Sequence, residues 1–199
     1  FDMSDERDDY YSPWKEALAH FFPDFLALLF PRIHRDIDWT RGFIFLENEL
    51  QKIVRKGEIG RRYADKLVQV YTRDGRETWV LIHVEIQGEA EVGFDERLYI
   101  YNYRIFDRFH RDVITLAVIA HETKGYRAGV YRRSRWGCVL SFRYPVKRLA
   151  TWKGHWQALA QDDNPVTIVI MAHLRAAVSK DGWKRKHWKW ELYLLLQQR

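Results

Sequence analysis

A single cysteine, Cys138, occurs in the 199-residue chain. That excludes an intrachain disulfide and any metal site built from several thiolates, and it suits a reducing compartment. Long apolar runs are missing too. The longest, near Phe25 to Phe30, is short and ends at Pro31 and charge, whereas a membrane-spanning helix needs about 20 apolar residues. No secretory leader is visible, so a cytoplasmic location and no membrane partner are expected. The eleven glycines are scattered, which leaves no Gly-rich phosphate loop. Nothing supports a Ser-His-Asp nucleophile, and there is no internal repeat, low-complexity tract or Gly/Pro/Ser linker.

What the chain does have is apolar mass and positive charge. Hydrophobic residues make up 47% and aromatic residues 16%, which excludes a disordered chain. The length suits one well-packed domain with an appendage. A formal charge of +6 and a pI near 9.4 fit nucleic acid or an anionic membrane surface equally, and many soluble enzymes are as basic. Residues 1–12 carry Asp2, Asp5, Glu6, Asp8 and Asp9 and read as an acidic, solvated lead-in. Residues 13–179 read as the main domain. Residues 180–199 read as a basic, Trp-rich C-terminal helix, whose Trp residues either stack on bases or pack inward and leave Lys in water.

Apolar spacing orders the main domain. Pro13 to Phe30 reads as helix, with Ser12 able to cap it and Pro23 breaking or kinking it. Phe43 to Lys56 reads as a second helix, with Phe43, Leu46, Leu50, Ile53 and Val54 as its buried stripe and Gly57 and Gly60 beyond its end. Tyr63 to Thr72 and Glu77 to Gln87 read as strands joined by an Asp74-Gly75 turn. Gly88 to Gly93 reads as a loop, Glu96 to Phe109 as a helix, and Val113 to His121 as a central strand. Tyr126 to Arg133 and Val139 to Tyr144 read as further strands. Leu149 to Ala160 reads as helical, and Asn164-Pro165 starts a helix to about Ser179.

On this frame the carboxylates become informative. In the strand W-V-L-I-H-V-E-I-Q, alternation puts Leu81, His83, Glu85 and Gln87 on one face. An ionised Glu at the end of an apolar run is costly unless it is near the surface, paired or holding a metal. Asp65 begins the preceding strand, and a hairpin turning near Asp74 brings it level with the mid-80s. Glu49 lies on the second predicted helix, with Glu47 as the competing inward acid. Hard oxygens so arranged suit Mg²⁺ or Mn²⁺. The plainer reading pairs Asp65 and Glu85 with Arg61 or Arg62, and spacing alone leaves both readings open. On the next helix Arg97, Tyr101, Arg104 and Arg108 recur at helical spacing. They read as a stripe for a phosphate backbone, with Leu98, Ile105, Phe106 and Phe109 turned to the sheet. A solvated stripe paired with Glu96 and Asp107 is the alternative. Arg132, Arg133 and Arg135 fall near a hairpin turn.

The order helix-Glu, strand-Asp, strand-Glu-x-Gln, helix, strand resembles the core of the PD-(D/E)XK phosphodiesterase superfamily. The runs F-L-E-N-E-L-Q-K-I, G-R-R-Y-A-D-K-L-V-Q-V, W-V-L-I-H-V-E-I-Q-G and F-D-E-R-L-Y-I-Y-N-Y-R-I-F-D-R-F are similar to bacterial Rpn/YhgA-like recombination-promoting nucleases, or putative transposases. The similarity spans residues 10–175 or so. It implies an α/β, restriction-endonuclease-like core with a mixed central sheet flanked by helices. It also implies Mg²⁺-dependent hydrolysis of DNA with low sequence specificity. Asp65 and Glu85 would be metal ligands, Glu49 the less constant helical acid, and Gln87 would stand where the superfamily most often has Lys. Gln can align a water by hydrogen bonds but brings no charge. Arg97-x-x-x-Tyr101 resembles the Gln-x-x-x-Tyr element of some related nucleases. A binding protein that keeps the fold without turnover is the alternative. Concerted cleavage of both strands would call for a homodimer.

Overall fold

The structure is a computed structural model, and it describes residues 12–53, 63–85, 93–120 and 128–178. The chain divides into two compact units. One is the continuous stretch Asp36–Lys147; the other combines the residues before it with those after it.

The continuous unit is mixed α/β. Its sheet has five strands in the order β1-β2-β3-β4-β7: β1 Ile44–Phe45, β2 Tyr63–Tyr71, β3 Glu77–Glu85, β4 Val113–Ile119 and β7 Val146–Arg148. β1 and β3 both run antiparallel to β2. β4 runs parallel to β3, a pairing that needs a crossover. Helix α5, Phe94–Phe109, supplies it, with α4 (Glu47–Gln51) as a short companion. The β2–β3 turn is a three-residue loop. Gly75 N–H donates to the Thr72 carbonyl at 2.8 Å, and Thr72 N–H to the Arg76 carbonyl at 2.9 Å. Gly75 takes φ +88°, where a side chain would be strained.

Alternation along the strands fixes which residues the helices cover. Leu67, Trp79 and Leu81 share one core cluster with Leu50 and Ile53 and with Tyr101 and Ile105 of α5. Phe94 and Leu98 cluster with Ala117, Ile119 and Tyr144. The odd-numbered face of β2, β3 and β4 is therefore the α5 face. Trp79 meets Phe109 at a ring-centroid distance of 5.0 Å, so α5 runs from the far end of β4 back to the start of β3. Asn102 ties it down, donating to the Val113 carbonyl at 2.8 Å and to the Thr115 hydroxyl at 3.1 Å.

A second sheet pairs β5 (Val130–Arg135) with β6 (Cys138–Arg143) as a hairpin. Its two-residue loop is Trp136-Gly137, with φ +51° and +83°, the backbone of a type I′ turn.

The other unit is helical: α1 Ser12–His20, α2 Phe22–Leu29, α3 Pro31–Asp36 at its boundary, α6 Trp156–Gln161 and α7 Pro165–Val178. Pro23 does not kink a helix; it sits in the first turn of α2, where its missing N–H costs nothing. Asn164 caps α7, its Oδ1 accepting from Val166 N–H at 2.9 Å. Its Nδ2 donates to the Asp24 carbonyl at 2.8 Å.

Three expectations change. The helix predicted from Phe43 begins only at Glu47, because Ile44 and Phe45 pair with Gln69 and Val68 as an edge strand; the open edge of β2 takes β-prone residues that helical spacing had claimed. Leu149 to Ala160 is a 3₁₀ turn (Leu149–Trp152) and then α6, separated by Gly154 at φ +85°. Phe106 does not face the sheet; it is 51% exposed. Gln87, Gly57, Gly60, Arg61, Arg62, the predicted loop over 88–92 and the predicted C-terminal helix lie outside the described residues, as do residues 1–11 of the acidic lead-in.

Candidate functional site

The two registers build the site row by row. Asp65 pairs with His83, and Tyr63 with Glu85. His83 pairs in turn with Ala117, and Glu85 with Ile119. Asp65 thus shares a row with Ala117, and Glu85 occupies the next row on the same face. Diagonal neighbours of this kind lie roughly 7–8 Å apart. That end of the sheet is the carboxyl end of the parallel pair β3/β4, where open α/β sheets present their ligand sites.

The helix cover on these rows follows from the clusters. Phe94 and Leu98 pack with Ala117 and Ile119, so the first two turns of α5 lie over the rows of Asp65 and Glu85. Asp65 is half-buried, and its Oδ1 is out of solvent. Arg97, on the same turns of α5, is half-buried, with its guanidinium 5.5 Å from the Phe94 ring. The N-terminal end of a helix favours negative charge.

Glu49 and Glu47 separate here. Glu47 is exposed and forms an ion pair with Lys66, which alternation puts on the strand face opposite to Asp65. Glu47 is thereby committed elsewhere. Glu49 is half-buried on α4, beside Leu50, which packs in the cluster of Leu67 and Tyr101.

The four residues read as a phosphate stripe fare differently from one another. Tyr101 is 3% exposed and belongs to the core, so it can reach a backbone phosphate only if the core opens. Arg104 Nη1 donates to the Ile53 carbonyl at 3.2 Å and fastens the end of α4 to α5. Only Arg108 stands in solvent, next to Phe109 at the far end of the helix. Of the four, Tyr101 is drawn into the core with Ile105, because Leu67 and Leu81 need cover, while Arg97 and Arg104 are half-buried at its margin.

The first turn of α5 also anchors the hairpin. Asp95 Oδ1 accepts from Gly129 N–H at 2.8 Å and from the Tyr144 hydroxyl. The Tyr131 hydroxyl donates to Glu96 at 2.7 Å. This bond raises the Tyr131 pKa, with nearby Arg133 opposing. Tyr99 stacks on Tyr131 at 5.3 Å and on Tyr103 at 6.3 Å. None of these contacts was foreseen from the sequence, since Asp95, Glu96 and Tyr99 carry no motif that separates them from an ordinary helix surface.

Among the described residues, no group of three or more His, Cys, Asp or Glu side chains lies at metal-ligand spacing; the side chains at 83–85 are outside that description. The register places the backbone of residues 65 and 85 on one face in successive rows of adjacent strands, and carboxylate oxygens as a class are hard ligands of the kind Mg²⁺ and Mn²⁺ take. Among the described residues no helix is long and apolar enough to cross a membrane. The chain is a mixed α/β protein with a five-stranded sheet covered by helices. Comparison with family models, curated proteins and solved structures gave no match.

Proposed function

We propose that the chain is a metal-dependent DNA endonuclease, hydrolysing phosphodiester bonds with low sequence specificity on a restriction-endonuclease-like core. The observation that carries this is the register: Asp65 and Glu85 fall on one face in successive rows of adjacent strands, beneath the start of α5. The recombination-promoting nuclease or transposase type is what the sequence resemblance adds.

In this reading Asp65 and Glu85 hold the cation, with Glu49 as a third carboxylate from α4. Bound there, Mg²⁺ or Mn²⁺ would lower the pKa of a water and offset charge on the scissile phosphate. Gln87 aligns the attacking water by hydrogen bonding. Arg97 supplies fixed positive charge beside the phosphate. Tyr101 and Arg104 act indirectly, by setting how α5 and α4 sit on the sheet; Arg108 meets the DNA backbone. Cleavage of both strands needs two such sites, hence a homodimer on DNA, which sedimentation with and without a duplex tests.

The deciding assay uses supercoiled plasmid with Mg²⁺ or Mn²⁺. Nicking should vanish on chelation and in Asp65→Ala, and Mn²⁺ binding followed by calorimetry should weaken in the same variant. The second reading, a DNA-binding protein without turnover, is favoured by Gln87 in place of Lys. It predicts DNA retention with no nicking, unchanged by Asp65→Ala.

A further inference from the structure

The hairpin β5–β6 places its most exposed aromatic residue where the backbone least favours one. Trp136 is 92% exposed and takes φ +51°, a left-handed conformation that is strained for a bulky side chain. Asn-Gly is the usual choice for such a turn. No apolar contact compensates, since the ring stands in water beside the Arg135 guanidinium, 4.7 Å from its centroid. A strained, solvent-facing Trp at a loop tip marks function more than fold.

The rest of the hairpin gives the chemistry of the ligand. From Val130 to Arg143 the sequence is V-Y-R-R-S-R-W-G-C-V-L-S-F-R: four arginines and no acid. Arg132, Arg133, Arg135 and Arg143 are all exposed. Arg132 pairs with Ser141 and Val130 with Arg143, so Arg132 and Arg143 are diagonal neighbours on one face, while Arg133 and Arg135 lie on the other. Charge is therefore presented on both sides of the tip. Its base is tied to α5 by hydrogen bonds from Gly129 N–H to Asp95 and from the Tyr131 hydroxyl to Glu96.

We propose that this hairpin is a nucleic-acid contact in which the arginines hold backbone phosphates and Trp136 stacks on an unpaired base. Guanidinium groups grip phosphates bidentately, and an indole is a platform for any base. An anionic bilayer is the other surface that attracts Arg and Trp. It fits less well, because besides Trp136 the tip offers a bilayer only the small exposed side chains of Cys138 and Val139. The proposal rests on the reading that the ligand is nucleic acid, and not on hydrolysis.

The test is fluorescence anisotropy in the presence of EDTA, with the full chain, a labelled oligothymidine and an equal-length duplex. Trp136→Asn should weaken single-strand binding about tenfold. Its unfolding midpoint should hold or rise, because Asn relieves the turn. Trp136→Phe should recover most of the affinity. The combined Arg132→Ala, Arg133→Ala and Arg135→Ala variant should weaken both ligands and reduce the salt slope on single strands by about 2. Wild-type affinity in the Asn and triple-Ala variants overturns the proposal, as does capture by phosphatidylserine vesicles with no binding of oligonucleotide. If the wild type binds no nucleic acid at all, the nuclease reading falls with it. If wild type and Asp65→Ala bind alike and the hairpin variants do too, only the hairpin assignment falls.

Discussion

Asp74 lies on the surface, yet its carboxyl is held well below the ordinary range. The largest cause is the Arg76 side chain, with Nε donating at 2.7 Å; the Thr72 hydroxyl adds a second bond. A depressed folded pKa adds stability above the unfolded value, near 4, and that stability is lost as pH falls through the lower folded value. Asp74→Ala should therefore lower the urea midpoint at neutral pH, and the gap to wild type should close as the solution is acidified. A gap that widened in acid would refute the assignment. Asn164 works by geometry alone. Its side chain caps α7 and bridges to α2, so Asn164→Ala should cost about 1–2 kcal/mol in denaturant unfolding, the upper part of the range for a lost cap.

α5 is the element on which both proposals depend. One side closes the sheet through Leu98 and Ile105, both fully buried; its first turn holds the hairpin through Asp95 and Glu96. Its end is set by His110 at φ +50°, ψ +44°, whose N–H donates to the Phe106 carbonyl at 2.8 Å. That is a left-handed cap occupied by a residue other than Gly. Ile105→Ala should destabilise the fold by about 2–5 kcal/mol. His110→Gly should be neutral or stabilising by up to about 1 kcal/mol. Equal destabilisation by both would mean that α5 ends differently. Neither change touches the arginines of the hairpin, so the oligonucleotide affinity of the folded fraction should stay at wild type.

Across the whole molecule, residues far apart in sequence share one helical core. Trp14 is 1% exposed, and its indole N–H donates to His173 Nδ1 at 3.5 Å, a contact between α1 and α7. Trp14→Ala should cost about 3–5 kcal/mol. Hydrogen exchange at Ile168 to Ile170 should then quicken together with exchange in α2. Protection retained in α7 alone would show that the helices do not unfold as one unit. At the same scale, if the proposed nucleic-acid binding holds, affinity should fall as salt rises, with a slope set by the number of phosphates contacted.

The sequence alone determined the hairpin turn at Asp74-Gly75, the strands β2, β3 and β4, the helix between the last two, and the Asn164-Pro165 start of α7. Each of these rests on local signals: period-two or period-3.6 burial, turn residues and caps. Spacing also put Asp65 and Glu85 at one end of the sheet, because an antiparallel pair with a fixed turn has a fixed register. Only the tertiary structure decided which side of α5 is inside. Tyr101 and Arg104 became core and brace, since an amphipathic stripe shows where a helix is two-sided and not which neighbour claims each side. Pairing partners likewise decided that Ile44 and Phe45 form a strand, because an open sheet edge lies outside any sequence window. The strain at Trp136 is a matter of backbone angle, which the letters W-G suggest only once the strands on either side are known to pair.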